Sequence, residues 1–397
     1  MSESLPTTKN SAAAAVPERP ERPELQQAIR EIVGSGIAGV TLRVHDERGE
    51  WVGSAGVAEL GESAGPPVDG HVRIGSNTKT FTATVVLQLV AEGVIRLDDP
   101  VAGHLPGFGL DRRITVRMLL QHTSGVFNHT GELLEDGTVA HGIPSTIAGR
   151  EWVEGRFTTY RPEELVRLSL SKPARFEPGT GWSYSNTNYV LARLLVERVT
   201  GRSCAEEMQE RILGPLGLSG TSLPGTGVEI PEPHAHAYYR YEDAGRQETV
   251  DVTRQDPSWI SAGGDMISTT KDLHTFISAL LGGRLLPAPL LAEICTPHAA
   301  SGFGLGLRVQ EVGGNGATVF FHNGGAAGHA ALMYSTPDGG KTLTAALNYV
   351  DDAAMSLAAA FQKAQARLVE EVFGGGRAGS ADGAAASAAA GAARPAG

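Results

Sequence analysis

The chain has 397 residues, of which 41% are hydrophobic, 33 are basic and 44 are acidic. This length allows one large domain or two of medium size with a sizeable core. The net charge of −11 and the lack of any Lys/Arg cluster argue against a phosphate-binding surface, so we expect no nucleic-acid partner. The longest apolar stretch, residues 81–95, is interrupted by polar residues, so we expect no membrane span.

The two ends of the chain differ in composition from the part between them. Residues 1–23 are rich in Pro, Glu and Ala without periodicity, which predicts a disordered lead-in. Residues 374–397 are almost entirely Gly, Ala, Ser and Arg, which predicts a flexible tail. Residues 24–373 are therefore expected to form one folded unit. Because the first residues lack an apolar signal-peptide core, we expect a cytoplasmic protein as written, and a secreted one if this start is incomplete.

Hydrophobic periodicity predicts the elements in chain order. A helix is expected over 24–33, followed by antiparallel strands over 38–45 and 51–58. The stretch from 77 to about 223 is mostly helical in pattern, with long Gly- and Pro-rich loops. The later predicted elements are helices over 269–281, 287–295 and 353–372, and strands over 304–310, 318–322, 329–335 and 343–348.

Strands at both ends of the chain with helices between them predict an α/β (α+β) fold. One antiparallel sheet would be built from both chain ends and flanked by helices, with an all-helical lobe inserted at about 77–223. The functional site would lie in the cleft between the sheet and the inserted lobe.

Ser76 and Lys79 form a Ser-x-x-Lys pattern where a short β-type run gives way to a long apolar helix. Residues i and i+3 share a helix face, so Lys79 is expected beside Ser76. A desolvated lysine loses its proton and can act as the base that activates a serine. The same pattern recurs at 169–172 and 268–271, but there the serine ends a helix before proline or stands at an ordinary helix start.

Tyr184 and Asn186 stand in a polar turn before a second apolar helix. A tyrosine beside a lysine cation is expected to have a depressed pKa and to shuttle protons to and from a serine. An asparagine two residues on can donate to and accept from a substrate amide. The alternative interpretation is a tyrosine packed in the core and an asparagine that caps the helix.

The run His322-Asn323-Gly324-Gly325 ends a predicted strand. The glycine pair lets another backbone approach closely, and the Gly325 N–H is a candidate donor to an oxyanion. The alternative is a histidine at a strand end followed by a glycine bulge.

Six segments, taken in order, resemble the serine β-lactamase-like family, which includes class C β-lactamases, soluble DD-carboxypeptidases and related esterases. The similarity covers roughly residues 25 to 372 and is strongest to the soluble DD-carboxypeptidase branch. It rests on the segments Ile74-Gly-Ser-Asn-Thr-Lys79, Leu119-Leu-Gln-His-Thr-Ser-Gly125, Pro178-Gly-Thr-Gly-Trp-Ser-Tyr-Ser-Asn-Thr-Asn-Tyr189, 258–273, Phe303-Gly-Leu-Gly-Leu-Arg308 and 322–325.

The resemblance implies a role for each matching residue. Ser76 would be the acylated nucleophile, Lys79 its proton acceptor and Tyr184 the proton shuttle to the leaving group. Arg308 stands where that branch binds the terminal carboxylate of the substrate, and Asn323 replaces the usual threonine. The other implied roles are substrate binding by Asn186, Trp259, His322, Asn323 and Gly324, and an oxyanion hole made by the N–H groups of Ser76 and Gly325.

The resulting expectation is a metal-free serine hydrolase without a cofactor, acting as a D-alanyl-D-alanine carboxypeptidase on D-Ala-terminated peptides. An esterase or acyltransferase of the same fold would not need Arg308. A β-lactamase differs only in the rate at which water releases the acyl group. A non-catalytic penicillin-binding module is the remaining alternative. The expected partner is a small peptide, β-lactam or ester, and the oligomeric state is left open.

Two further patterns have simpler interpretations. The run 339–342 resembles the end of a phosphate-binding loop but lacks the first glycine of that motif, so a hairpin turn is expected. His234 and His236 lie in a Pro-flanked loop without a third ligand, which favours a structural role over a metal site.

Overall fold

A computed structural model describes residues 21–134, 137–143, 149–314 and 316–374. The predicted disordered ends fall almost wholly outside these described residues. The folded part begins slightly earlier than predicted, since Arg22 is buried and its guanidinium pairs with the Asp46 carboxylate at 2.8 Å.

The strands are named in chain order. They are β1 (Gly39–Asp46), β2 (Gly49–Gly56), β3 (His71–Arg73), β4 (Glu132–Leu133), β5 (Val139–Ala140), β6 (Tyr238–Asp243), β7 (Arg246–Asp251), β8 (Ile267–Thr269), β9 (Arg308–Val312), β10 (Ala317–Ala326), β11 (His329–Ser335), β12 (Thr342–Asn348) and β13 (Val350–Asp352).

The helices are named in the same way. They are α1 (Pro23–Gly34), α2 (Thr78–Ala91), α3 (Val101–His104), α4 (Val116–Gln121), α5 (Arg150–Gly155), α6 (Pro162–Leu170), α7 (Thr187–Thr200), α8 (Cys204–Met208), α9 (Gly214–Leu216), α10 (Thr270–Leu281), α11 (Ala288–Cys295) and α12 (Ala358–Phe373). Among the described residues, no helix is long and apolar enough to cross a membrane.

The central sheet is built from both ends of the chain, as predicted. Its six strands run in the order β2-β1-β12-β11-β10-β9, and every neighbouring pair is antiparallel. The N-terminal hairpin β1–β2 joins the C-terminal strands through β1 and β12, where Thr41 lies opposite Ala346. This pairing confirms the predicted sheet, and the helices α2 to α9 form the inserted lobe.

The two faces of the sheet contact different hydrophobic clusters. Phe320 and Met333 point toward the cluster shared with α2, α7 and α10. Phe321 and Tyr334 point the opposite way, toward α1 and α12. Because side chains alternate along a strand, these contacts assign every residue of β10 to one face or the other.

Helix α2 is buried on every side along its first ten residues, as expected for a helix without a polar face. Its threonines fit this environment because their hydroxyls have partners. Thr82 donates to the Thr78 carbonyl at 3.1 Å, and Thr84 donates to the Thr80 carbonyl at 2.8 Å. This satisfies hydroxyls that would otherwise be buried at a cost.

Four details differ from the sequence prediction. The strand expected over 304–310 begins only at Arg308, because Gly306 (φ +87°) packs against α2 and its carbonyl accepts from the Thr80 hydroxyl at 2.7 Å. Strand β10 continues to Ala326, past the predicted end at 322. The inserted lobe also contains the small β4–β5 hairpin, and a second sheet, in the order β13-β6-β7, was not predicted.

Candidate active site

Ser76 lies in a single 3-10 turn, Gly75–Asn77, between β3 and α2. The turn needs glycine at position 75, which has φ +49°, because a Cβ there would lie 2.4 Å from the Gly325 carbonyl oxygen. The turn continues directly into α2, so the Ser76 side chain sits at the positive end of a buried helix. Only 3% of Ser76 is exposed.

Lys79 lies one turn further along, with its amine beside Ser76, as the spacing predicted. Its Nζ is 3.1 Å from Ser76 Oγ, 2.7 Å from Asn186 Oδ1 and 2.6 Å from the Gly263 carbonyl oxygen. As an ammonium, Lys79 donates to all three oxygens. As a neutral amine it has two N–H groups, which the two obligate acceptors Asn186 Oδ1 and Gly263 O take up. Its lone pair then faces Ser76 Oγ.

The surroundings of Lys79 favour the neutral amine. Burial moves its pKa well below the usual value, because desolvation disfavours the charged form. Among the described residues, no carboxylate forms a salt bridge with Lys79. An acidic neighbour would hold the proton on the amine, so this environment suits a base.

Tyr184 approaches Ser76 from the turn that precedes α7. Its hydroxyl donates to Ser76 Oγ at 2.8 Å, and its ring lies 4.7 Å from Lys79 Nζ. The predicted depressed pKa of Tyr184 is wrong. Desolvation of the phenolate raises the pKa and outweighs the opposing effect of the hydrogen bond with Ser76. Tyr184 is therefore a neutral hydroxyl that can give a proton and take one in the same step.

Asn186 comes immediately before α7 and joins the cluster through its side chain. Oδ1 accepts from Lys79, and Nδ2 donates to the Thr130 hydroxyl at 3.0 Å. An amide nitrogen carries two hydrogens, so one Nδ2 hydrogen remains for a substrate carbonyl. The alternative role as a helix cap is not seen, since the Asn186 side chain makes no cap hydrogen bond to α7.

The end of β10 runs alongside the turn that carries Ser76. A Cβ at Gly324 would lie 1.9 Å from the Ile74 carbonyl oxygen and 2.6 Å from the Ser76 nitrogen, so only glycine allows this approach. Gly325 lies next to Gly75 in the same contact. The two backbone segments are thus close enough to present N–H groups to one substrate oxygen.

The side chains of His322 and Asn323 point to opposite faces of the sheet. His322 shares the face of Phe320, and burial lowers its pKa to about 3, so it is neutral. Asn323 Nδ2 donates to the Tyr334 hydroxyl at 2.8 Å, on the face of Phe321. The structure does not bring the Asn323 amide to Ser76, and its contact with substrate stays a prediction.

Arg308 lies at the start of β9, opposite Phe321. Its guanidinium carbon is 5.0 Å from the Phe303 ring centre and 5.5 Å from the Phe321 ring centre. Burial lowers the pKa of Arg308, and the nearby hydroxyls of Tyr334 and Tyr184 act in the opposite direction. No carboxylate in the described part of the chain pairs with this half-buried cation.

Trp259 is only 7% exposed and packs in the core cluster shared with the helical lobe. Its carbonyl oxygen is 2.9 Å from His129 Nε2. This placement leaves little of the indole to line a cleft, and its contact with substrate stays a prediction.

Two groups near Ser76 were not identified from the sequence. The Gly263 carbonyl oxygen accepts a hydrogen bond from Lys79. Every residue has a backbone carbonyl, so the sequence gives no sign of this contact beyond the Gly263-Gly264 pair. His122, read only as part of a family loop, lies with its ring centre 4.4 Å from that of Tyr184. Phe303 lies beside both rings, with its ring centre 6.0 Å from that of Tyr184 and 5.5 Å from that of His122.

The other candidate patterns lie outside this cluster. Thr269 caps α10 by accepting from the Asp272 N–H, as expected for an ordinary helix start. Residues 336–341 form the turn between β11 and β12. His236 Nδ1 lies 2.6 Å from an Asp251 carboxylate oxygen. No group of three or more His, Cys, Asp or Glu in the described ranges could hold a metal ion.

Comparison with known proteins gives consistent results. The Beta-lactamase family model matches residues 25–367. A D-stereospecific amidohydrolase from Streptomyces sp. is 38% identical, covering 90% of this chain and 100% of that chain, with a TM-score of 0.77. The D-amino acid amidase from Ochrobactrum anthropi SV3 with bound L-phenylalanine amide is 26% identical, covering 88% of this chain and 97% of that one, with a TM-score of 0.73.

Penicillin-binding protein 4* of Bacillus subtilis (strain 168) is 26% identical over 311 residues, which is 75% of this chain. The match spans 65% of that relative, so this chain covers slightly less than two thirds of its length. Since the family match extends over nearly all of the folded part and the architecture is shared with solved amidohydrolases, the chain belongs to the Beta-lactamase family and is a serine hydrolase of the β-lactamase and penicillin-binding protein fold.

Proposed function

We propose that the protein cleaves an amide bond in short peptides that contain D-amino acids, through an acyl-enzyme on Ser76. The preferred substrate presents a free C-terminal carboxylate to Arg308, as a peptide ending in D-Ala-D-Ala does. The single observation that carries this choice is the guanidinium of Arg308, which lies near Tyr184 and has no described acidic partner.

Acylation begins with proton transfer from Ser76 Oγ to the neutral amine of Lys79. Oγ then bonds to the substrate carbonyl carbon, and the carbonyl oxygen gains the negative charge. The N–H groups of Ser76 and Gly325 stabilise this oxyanion. When the carbon–nitrogen bond breaks, Tyr184 gives its hydroxyl proton to the leaving amine and is reprotonated from Lys79. Water later attacks the ester, with the proton transfers reversed.

Arg308 supports a carboxylate on the leaving-group side. A half-buried cation without a counter-ion is costly, and a substrate carboxylate accepts both arms of the guanidinium fork. The aromatic rings of Phe303 and Phe321 flank the guanidinium and limit its contact with water. Charge-assisted hydrogen bonds of this kind contribute about 1.5–3 kcal/mol.

A second candidate is hydrolysis of D-amino acid amides, which lack the carboxylate. It is favoured by the 38% identity to the D-stereospecific amidohydrolase and by the likeness to the D-amino acid amidase. An esterase would likewise not require Arg308. β-Lactamase activity depends on the deacylation rate at Ser76.

The deciding experiment compares a tripeptide ending in D-Ala-D-Ala with D-alaninamide and a p-nitrophenyl ester. We expect Arg308→Ala to reduce kcat/KM on the peptide by about 10- to 100-fold and to leave the amide and the ester near the parent values. The matched control is Arg246→Ala, at an exposed arginine on β7. Equal losses on all three substrates, or a parent enzyme that prefers D-alaninamide, would refute the carboxylate proposal.

The nucleophile is tested separately with benzylpenicillin. Intact-protein mass spectrometry should show one covalent adduct on the parent and none on Ser76→Ala. Ser268→Ala, in a second Ser-x-x-Lys segment, should form the adduct as the parent does. An adduct that survives Ser76→Ala would overturn the assignment of Ser76.

A further inference from the structure

His122 holds the segment that carries Tyr184 at two points. It follows α4 with φ +62° and caps that helix. Its carbonyl oxygen accepts from the Ser183 N–H at 3.1 Å, and its ring nitrogen Nδ1 accepts from the Ser185 N–H at 3.2 Å. The two bonded residues stand on either side of Tyr184, so His122 fixes the backbone on both sides of the tyrosine.

The hydrogen bonds also determine the protonation of the ring. Asn188 Nδ2 lies 3.2 Å from the same Nδ1, and Asn188 Oδ1 accepts from the Ser124 hydroxyl at 2.6 Å. Nδ1 therefore faces two N–H donors and must offer a lone pair, which places the ring hydrogen on Nε2. The residue is fully buried, and burial keeps its pKa well below the usual value.

The imidazole also supports the Tyr184 ring from one side. The two rings are tilted by 32° with their centres 4.4 Å apart. Trp182 extends the same attachment, because its indole N–H donates to the Gln121 carbonyl at 3.0 Å. The end of α4 thus binds the chain at 182, 183 and 185, and Tyr184 alone projects toward Ser76.

We propose that His122 is a positioning residue that aims the Tyr184 hydroxyl at Ser76 Oγ. It acts mainly through the acceptor Nδ1, while its tilted ring packs against the Tyr184 ring, and it exchanges no proton with the substrate. The inference rests on the proposed role of Tyr184 as the proton carrier. A displaced Tyr184 would slow reactions whose leaving group must be protonated, such as amide and β-lactam cleavage. A p-nitrophenyl ester leaves as a stable phenolate and would be affected little.

The test compares His122→Asn with His122→Gln. Both side chains are neutral amides, but the Asn oxygen is one bond from Cγ, as Nδ1 is, whereas the Gln oxygen reaches the position of Nε2. Asparagine also tolerates the left-handed backbone at this position. We expect His122→Asn to acylate with benzylpenicillin near the parent rate. His122→Gln should acylate about 100-fold more slowly, with little change in the dissociation constant of the non-covalent complex.

The ester serves as the internal control, and kcat/KM for a p-nitrophenyl ester, which reports acylation alone, should stay close to the parent value in both variants. His274→Leu, at a histidine that bonds Thr342 outside the site, controls for the loss of an internal histidine. If His122→Gln does not fold, His122→Gly replaces it, because glycine takes φ +62° without strain and lacks the acceptor.

Three results would overturn the inference. The first is parent-like benzylpenicillin acylation in the folded variant without an acceptor, Gln or Gly. The second is an equal loss on β-lactam and ester. The third is an equal loss in the Asn and Gln variants. A parent protein that forms no adduct at all would instead contradict the proposed function, so the two failures are distinguishable.

Discussion

Lys79 Nζ lies 3.1 Å from Ser76 Oγ, and the pKa of that lysine is lowered by burial alone. The helical spacing of the two residues brings the groups together, and the absence of a described acidic partner lets desolvation act without opposition. The two oxygens that bind Lys79, on Asn186 and Gly263, orient the amine without supplying a negative charge. A lysine amine in water is protonated at neutral pH, whereas burial lowers the pKa of Lys79 and lets its amine act as a base.

Replacing Lys79 by methionine should abolish most of the acylation. Methionine fills a similar volume but cannot accept the Ser76 proton, and general-base catalysis contributes about 10²- to 10⁴-fold. The measurement is the single-turnover rate of adduct formation with benzylpenicillin. Lys271→Met is the matched control, since Lys271 stands at the same spacing from Ser268 but is exposed. Equal rates in parent and Lys79→Met would exclude Lys79 as the base.

Lys79 should also make the stability of the protein rise with pH. Its folded pKa lies well below the usual 10.5, so between these two values the unfolded chain binds one more proton than the folded one. The free energy of unfolding then increases with pH, by up to about 1.4 kcal/mol per pH unit, until the unfolded lysine deprotonates near pH 10.5. Denaturant titrations at several pH values should show this slope for the parent.

Lys79→Met supplies the reference for that slope, because all other groups are retained. The difference between the two proteins isolates the contribution of Lys79. Identical slopes over the range from neutral pH to about pH 10 would mean that the folded lysine remains charged.

The sequence predicted the parts of the site that depend on local spacing. Ser76 and Lys79 are one helical turn apart, and Asn186 and Tyr184 belong to one turn before α7. The Gly263 carbonyl is 184 positions from Lys79 in the chain, and only the packing of the two lobes brings it there. A contact of this kind has no periodic signal, and the same reason explains why the hydrogen bonds that the Ser183 and Ser185 N–H groups donate to His122 were not anticipated.

In the sheet, too, features set by local pattern were predicted and features set by long-range pairing were not. Alternating patterns located most strands, and their placement at both chain ends predicted the architecture. The face on which Asn323 lies depends on how far β10 extends and on its pairing with β11, where Asn323 is opposite Leu332. Polar residues such as Glu248 in the β6–β7 hairpin weaken its apolar alternation, so that hairpin was not predicted.

Tyr184→Phe should distinguish amide substrates from activated esters. The substitution keeps the ring that packs against His122 and removes the hydroxyl that reaches Ser76. We expect cleavage of a D-Ala-D-Ala peptide to fall about 10²- to 10⁴-fold and p-nitrophenyl ester turnover to fall much less, as measured by kcat/KM. Tyr189→Phe is the control, since its hydroxyl donates to the Leu120 carbonyl at 2.9 Å and not to Ser76. A uniform loss on both substrates would argue against proton transfer by Tyr184.

Gly324→Ala should remove activity by separating two backbone segments. The new methyl group would lie 1.9 Å from the Ile74 carbonyl oxygen and 2.6 Å from the Ser76 nitrogen, and neither backbone atom can turn aside as a flexible side chain would. β10 must therefore move away and take the Gly325 N–H with it, which should cost about 10²- to 10³-fold in acylation and lower the melting temperature. Gly103→Ala, where no atom lies within 4 Å of the added carbon, should leave the acylation rate unchanged. Parent-like acylation in Gly324→Ala would show that the oxyanion is held by other donors.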